Sequence, residues 1–375
     1  MLNPFTLKEV PFDGAFCNRE NEQRDLAAFA KSAANVLLYS PRRYGKTSLV
    51  RRIQHTLSKD DTLTAYCDLF GVCSTDEIAG KIVKSIFSIT RQNETIFHKA
   101  IRFLTSFRPV LSPSADGGVS ISVQPAYSSS GIELLDETLE ALTRFILDAG
   151  CPVHIVLDEF QEITEVENSL AIEGVLRSHI QRMAAAFVFV GSRRRLLLEM
   201  FNHRRRPFYQ SAVAYELKVL PREELIGFIT KRFVMAGKQI DPLLSAEIVD
   251  RLECHPYYTQ KFCFFLFDRT QKKVSRDDLA DTFQLVMASE KALFESILRR
   301  LTTVQMALLT AIAVEPTAKL YAAEYMKRHS LKSTGGVQLG LEILAREDLI
   351  ERPASGGVWA VVDPLFREWL RRRAL

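Results

Sequence analysis

Apolar residues in this chain fall into two kinds of pattern: short uninterrupted runs, and longer stretches in which they recur every three to four positions. The runs Val36 to Tyr39, Val153 to Leu157 and Ala186 to Val190 lack polar alternation, as expected of strands buried on both faces. Between them the period lengthens. Ile78, Ile82, Ile86 and Ile89 share one face of a predicted helix from Thr75 to Ile89, and further helices are predicted from Ile132 to Leu147 and from Asn168 to Ala185. DTLTAYCDLFGV, from 61 to 72, predicts a strand next to the first run, and VAYELKVLP, from 213 to 221, reads as the last strand of the sheet. Strands alternating with helices specify an α/β core with a parallel sheet.

Residues 106 to 131, SFRPVLSPSADGGVSISVQPAYSSSG, are rich in Ser, Gly and Pro around an alternating VSISV, and predict a loose hairpin outside that sheet. Such an excursion serves either as a partner contact or as a tolerated surface insertion. Beyond 221 the pattern is helical alone, in four periodic stretches with short breaks. From Thr302 three short helices precede a two-stranded hairpin around the turn Pro353 to Gly357, and DPLFREWLRR closes as a helix. Helices followed by a two-stranded wing describe a winged helix. The predicted domains are a core over 1 to 220 with an insertion at about 106 to 131, a helical lid over 221 to 301, and a winged-helix domain over 302 to 375.

Composition adds boundaries. A chain of 375 residues suggests two or three domains, and 47% hydrophobic with 25% charged residues excludes global disorder. The net charge of +4 is too small to announce nucleic-acid binding, so a basic surface would have to come from local clusters. The cysteines Cys17, Cys67, Cys73, Cys151, Cys254 and Cys263 form no C-x-x-C pair and read as reduced and mostly buried. With no signal-like start and no apolar stretch near membrane-span length, the expected location is cytoplasmic, with no membrane partner.

Two motifs carry chemistry. The first run breaks at Ser40 and Pro41 and resumes as a helix after Gly45-Lys46-Thr47-Ser48, the layout of a phosphate-binding P-loop: Pro41, Arg42, Arg43, Tyr44 and Gly45 would wrap a polyphosphate at a helix N-terminus. Lys46 would reach the β- and γ-phosphates of ATP and Thr47 would offer its hydroxyl to Mg²⁺. Ser40 stands where the usual pattern begins with Gly. The second motif is the strand ending in Asp158-Glu159, the layout of a Walker B strand; Asp158 would hold the Mg²⁺ shell and Glu159 would polarise the attacking water. The expected activity is ATP hydrolysis.

The order F-x-N-R-E-x-E from Phe16, P-R-R-Y-G-K-T-S-L from Pro41 and L-D-E-F-Q from Leu157 resembles the archaeal-type ATPases, a P-loop family of the AAA+/STAND kind. The resemblance implies an α/β P-loop ATPase core with a parallel sheet, followed by a helical lid and a C-terminal winged-helix domain. It implies that Phe16 and Arg19 lie near the adenine; the alternative is that Phe16 and Leu26 only staple the first helix. Ser192, at the end of the third run, would lie between the two motifs and sense the γ-phosphate. His255 and Pro256 match a G-x-P-type motif that approaches the nucleotide, with Cys254 in place of Gly, while a His at a helix break can equally be a cap. The triplets Arg193 to Arg195 and Arg204 to Arg206 could complete an ATP site, with Arg206 as the finger, or grip DNA, or form a solvated basic face. If the winged helix binds DNA, the helix from Gly336 to Arg346 would be the groove reader, although Val337, Gln338, Leu339, Leu341 and Glu342 are poor phosphate binders, with charge from Lys327, Arg328, Lys332, Arg352 and Arg371 to Arg373. The implied function is an ATP-driven switch, the alternatives a DNA-loading ATPase acting as a homo-oligomer and a nucleotide-stabilised binding protein; the partner of the winged helix is double-stranded DNA or a protein client.

Overall fold

The computed structural model describes residues 3–8, 10, 14, 16–90, 93–113, 119–126, 129–352 and 357–374. The chain forms two compact units: one comprises Glu20–Ser40 and Lys46–Leu217, the other Met1–Arg19, Pro41–Gly45 and Lys218–Leu375.

The first unit is an α/β layer structure. After α1 (Glu20–Lys31) come β1 (Val36–Tyr39), α2 (Lys46–Ser58), β2 (Leu63–Asp68), α3 (Thr75–Thr90) and α4 (Glu94–Phe103). The hairpin β3 (Phe107–Pro113) and β4 (Val119–Pro125) precedes α5 (Gly131–Ala149), β5 (Val153–Asp158), α6 (Ser169–Ile180), β6 (Ala186–Gly191), α7 (Arg194–Asn202) and β7 (Val213–Glu216). The main sheet has the order β2-β5-β6-β1-β7 and all its pairings are parallel. β5 and β6 are buried at every position, which is why their sequences are unbroken apolar runs.

One strand lies elsewhere than its sequence suggested. β2 was expected beside β1, yet it pairs with β5 at the far edge, and β1 takes β6 and β7 as neighbours. Strand order is set by which helices cover which face, and α3 packs on β2 and α5 together; a buried apolar run carries no label for its neighbour. The hairpin is a separate antiparallel sheet paired over seven residues on each strand. It seats Phe107 and Val123 against α3 at Gly80, where a Cβ would lie 3.5 Å from the Phe107 ring and 3.6 Å from Val123. The tip of the excursion, 114–118, and residues 127–128 lie outside the described residues.

The second unit contains α8 (Arg222–Met235), α9 (Pro242–Arg251), α10 (Pro256–Arg269) and α11 (Arg276–Arg299), then α12 (Thr303–Val314), α13 (Ala323–Arg328), α14 (Thr334–Arg346), β8 (Ile350–Glu351), β9 (Ala360–Val361) and α15 (Pro364–Ala374). The last six elements have the helix and wing order of a winged helix, and most of the wing turn, 353–356, lies outside the described residues. Boundaries follow local chemistry: α11 and α12 each begin with a reciprocal capping box, Ser275 with Asp278 and Thr302 with Gln305. One core runs through the unit, from Phe233 and Phe267 to Phe294, stacked on Phe366 at 4.9 Å. No helix among the described residues is long and apolar enough to cross a membrane. The cysteines are all free, but only Cys67 and Cys263 are buried; Cys73 is exposed and the other three are half-buried. The expectation of mostly buried thiols therefore fails: Cys73 sits in the turn after β2, and Cys17, Cys151 and Cys254, in connecting segments, only edge onto the cores.

Candidate functional site

In the α/β unit, three parallel strands end side by side: Tyr39 of β1 is opposite Gly191 of β6, and Phe189 of β6 is opposite Leu157 of β5. The residues just past those ends, Ser40, Ser192 and Glu159, therefore project from one edge of the sheet, where α/β folds carry their ligand sites. Ser192 directly follows β6, which pairs with both motif strands, β1 and β5.

The Lys46 ammonium, buried at the start of α2, donates to the Ser40 carbonyl at 3.1 Å and to its hydroxyl at 3.2 Å. Thr47 follows, and its hydroxyl donates to Asp158 Oδ2 at 3.1 Å. The Tyr66 hydroxyl donates to the same oxygen, and the Glu159 backbone N–H donates to Oδ1 at 2.9 Å. Burial pushes the Asp158 carboxyl above its ordinary range, and these donors oppose the rise. Thr47 and Asp158 form a hard-oxygen pair that suits Mg²⁺, an ion that takes one or two protein ligands and completes its shell with phosphate oxygens and water. The described residues contain no cluster of three or more His, Cys, Asp or Glu that could hold a metal ion.

Glu159 adopts a left-handed backbone, φ +50°, which a non-glycine residue enters at some cost. Its Oε2 accepts from the Gln161 amide at 2.5 Å and from the Ser192 hydroxyl at 3.2 Å. Gln161 is fully buried, and its Oε1 lies so close to Gly191 that a Cβ there would be 2.0 Å away. Only glycine admits that side chain. Arg206 is bound by Glu173, a fully buried carboxylate on α6, whereas Arg204 and Arg205 are exposed. Arg193 pairs with Glu165 at 2.6 Å.

The segment Pro41–Gly45 belongs to the helical unit. Arg43, at φ +67°, points its guanidinium at Glu290 of α11, 3.2 Å away, and at the Tyr257 ring of α10, 4.4 Å from its centroid. Lys261 shares Glu290 at 2.6 Å. Tyr44 meets His255 edge to face at 5.0 Å. His255 is the N-cap of α10, its Nδ1 accepting the Tyr258 N–H at 3.4 Å, with Pro256 in the first turn. Burial, with Arg43 nearby, lowers its pKa to about 3, so the ring is a neutral acceptor. The Tyr258 hydroxyl donates to Asp363 at 2.5 Å, just before α15. Cys254, where the family pattern has Gly, holds φ +56°. Arg19 is buried and donates to the Lys218 carbonyl at 2.6 Å, and Phe16 is half-buried. Arg42 is exposed, and Gly45 takes φ +86°.

Hydrogen bonds thus link Thr47, Asp158, Glu159 and Ser192 into one chain in the α/β unit. Arg43, Tyr44 and His255 instead make their contacts inside the helical unit, with residues of α10 and α11. Sequence reasoning passed over Tyr66, Gln161, Glu173, Lys261 and Glu290. Gln161 stood within the second motif and Tyr66 interrupted an apolar strand; the other three had no local signal.

The C-terminal residues 292–372 match a family model described as a probable winged helix domain. A search of curated proteins finds no match. Among solved structures, a Walker-type ATPase of Pyrococcus abyssi superimposes with TM-score 0.71 at 17% identity, covering 98% of this chain and 99% of the other. The ORC2 protein of Aeropyrum pernix, solved in ADPNP and ADP complexes, superimposes with TM-score 0.60 at 14% identity, covering 98% and 95%. These likenesses establish the fold: an α/β core with a five-stranded parallel sheet, a helical region and a winged helix.

Proposed function

We infer that this protein is an ATP-binding and ATP-hydrolysing switch that couples nucleotide state to contacts made by its winged helix. The observation that carries this reading is the path of side chains in the helical unit: Arg43 of the phosphate loop is held by Glu290 and Tyr257, and the neighbouring Tyr258 is held by Asp363 at the head of α15. A change at the loop that withdraws Arg43 from Glu290 alters the same helix pair that anchors the winged helix.

The catalytic roles follow from the groups present. Lys46 leaves Ser40 to donate to the β- and γ-phosphate oxygens, and Gly45 with its neighbours presents backbone N–H groups to the polyphosphate. Thr47 and Asp158 would hold Mg²⁺, which when bound would neutralise charge on the phosphates. Glu159 exchanges the Gln161 and Ser192 donors for a water that it orients toward the γ-phosphate, and the released Ser192 hydroxyl then turns to that phosphate. Arg206 as a finger would have to leave Glu173, whereas among the described residues Arg204 and Arg205 pair with no buried carboxylate. Phe16 and Arg19 border the base in this reading, with the domains divided near 220 and 301.

A second reading, a DNA-acting ATPase working as an oligomer, draws support from the exposed Lys327, Lys332, Arg204 and Arg205 and from the winged-helix match. Against it, Arg328 sits on Glu315 at 2.5 Å, Arg352 on the Gly357 carbonyl at 2.8 Å and Arg371 on the Ala313 carbonyl at 2.6 Å. The test is ATP turnover by wild type and Glu159→Gln, with and without double-stranded DNA, together with the mass of the particle in each nucleotide state. Turnover that depends on Glu159 and ignores DNA supports the switch; a DNA-stimulated rate that falls steeply with salt moves the second reading ahead. Absence of ATP binding would sink both.

A further inference from the structure

Asp158 has roughly four acceptor positions on its two oxygens. Three are taken within the α/β unit, by the Tyr66 hydroxyl, the Thr47 hydroxyl and the Glu159 N–H. Tyr66 differs from the other two donors, since Thr47 and Glu159 belong to the motifs themselves while Tyr66 arrives from β2, whose register sets Tyr66 opposite Val156 and Asp68 opposite Asp158. Its ring is held from the other side. The Arg51 guanidinium lies 4.1 Å from the ring centroid, and Arg51 is four residues after Thr47 on α2, so one helix face supplies both the hydroxyl on Asp158 and the cation on Tyr66.

We propose that Tyr66 is a positioning residue for the metal site: held by Arg51, it fixes the Asp158 carboxylate in the rotamer that faces Thr47, so that the pair is set for Mg²⁺ before nucleotide arrives. The proposal rests on the ATP-binding reading above and deepens it. A carboxylate freed of one of its three donors can turn within its pocket and loses the alignment with Thr47 on which metal binding depends. Outer donors of this kind typically account for about ten- to a hundredfold in metal affinity.

The experiment compares the affinity of a fluorescent, non-hydrolysable ATP analogue in excess EDTA and in excess Mg²⁺, for wild type, Tyr66→Phe and Asp158→Asn. Tyr66→Phe keeps the ring and its contact with Arg51 and removes only the hydroxyl. The expected result is an affinity in EDTA within about twofold of wild type and a Mg²⁺-dependent gain reduced about tenfold, in the direction of Asp158→Asn. A gain equal to or larger than that of wild type overturns the proposal, as does a Tyr66→Phe protein weakened equally with and without metal, which would mark the tyrosine as a packing residue. A wild type that binds no analogue in either condition overturns the ATP-binding reading and this inference together. Wild-type binding with an unaltered variant overturns this inference alone.

Discussion

Glu173 is fully buried on α6, accepts a hydrogen bond from Arg206 through Oε1, and has no partner for Oε2 among the described residues. Burial raises its pKa from the ordinary 4.5 to about 7; Arg206 opposes the rise without cancelling it, and Glu199 adds to it. The sign follows. A carboxyl whose folded pKa exceeds its unfolded one binds more protons in the folded state between those values, so stability falls as pH rises from 4.5 through 7. Above that window the full loss, 2.5 pKa units at 1.36 kcal/mol each, is about 3 kcal/mol. At about pH 5.5 the same linkage leaves a penalty of only about 1.4 kcal/mol.

Glu173→Gln removes the titration and keeps an acceptor for Arg206. Its stability relative to wild type should therefore climb by about 2 kcal/mol between about pH 5.5 and pH 8. Both tryptophans, Trp359 and Trp369, lie in the helical unit, so the assay is urea unfolding by far-UV circular dichroism, with hydrogen exchange on peptides from α6 and β6. A difference that stays flat across that range refutes the burial argument. The companion Arg206→Ala strands the carboxylate and should destabilise more at pH 8 than at pH 5.5, with Glu173→Gln rescuing the fold. If the rescued double variant still hydrolyses ATP normally, Arg206 is structural; if folding returns and turnover does not, it acts on nucleotide.

Glu159→Gln should lower ATP turnover by at least about a hundredfold while nucleotide affinity stays within about threefold, measured by phosphate release and equilibrium binding; near-normal turnover would remove Glu159 from the water-orienting role. Cys254→Gly should stabilise the helical unit by about 0.5–1 kcal/mol, read as the urea midpoint of tryptophan fluorescence, because glycine relieves the left-handed backbone; a lower midpoint would mean that the thiol's packing outweighs the strain. Glu290→Ala leaves the largely buried Lys261 without its carboxylate and should cost that unit about 3–5 kcal/mol in the same assay, whereas a loss under about 1 kcal/mol would show that water replaces the pair.

Most elements of both units were readable from local pattern, α4 (Glu94–Phe103) being an exception, as were the candidate groups Lys46, Thr47, Asp158 and Glu159. Each depends on neighbours within a few positions: an apolar run needs no partner to declare itself a buried strand, and Gly45-Lys46-Thr47 announces a turn entering a helix. The order of the strands was not readable in the same way, since neither β1 nor β2 names its partner; helix packing placed β2 against β5. Charge pairing was hidden for the same reason. Arg43 read as a phosphate-loop residue and Arg206 as a candidate finger, and their carboxylate partners Glu290, 247 positions away, and Glu173, 33 positions away, came within reach only on folding. Tyr66 gains its meaning only from the pairing of β2 with β5, across 92 positions of chain. Local periodicity records which side a residue faces, whereas the identity of what it faces is set by long-range packing, and that information exists only once the chain has closed on itself.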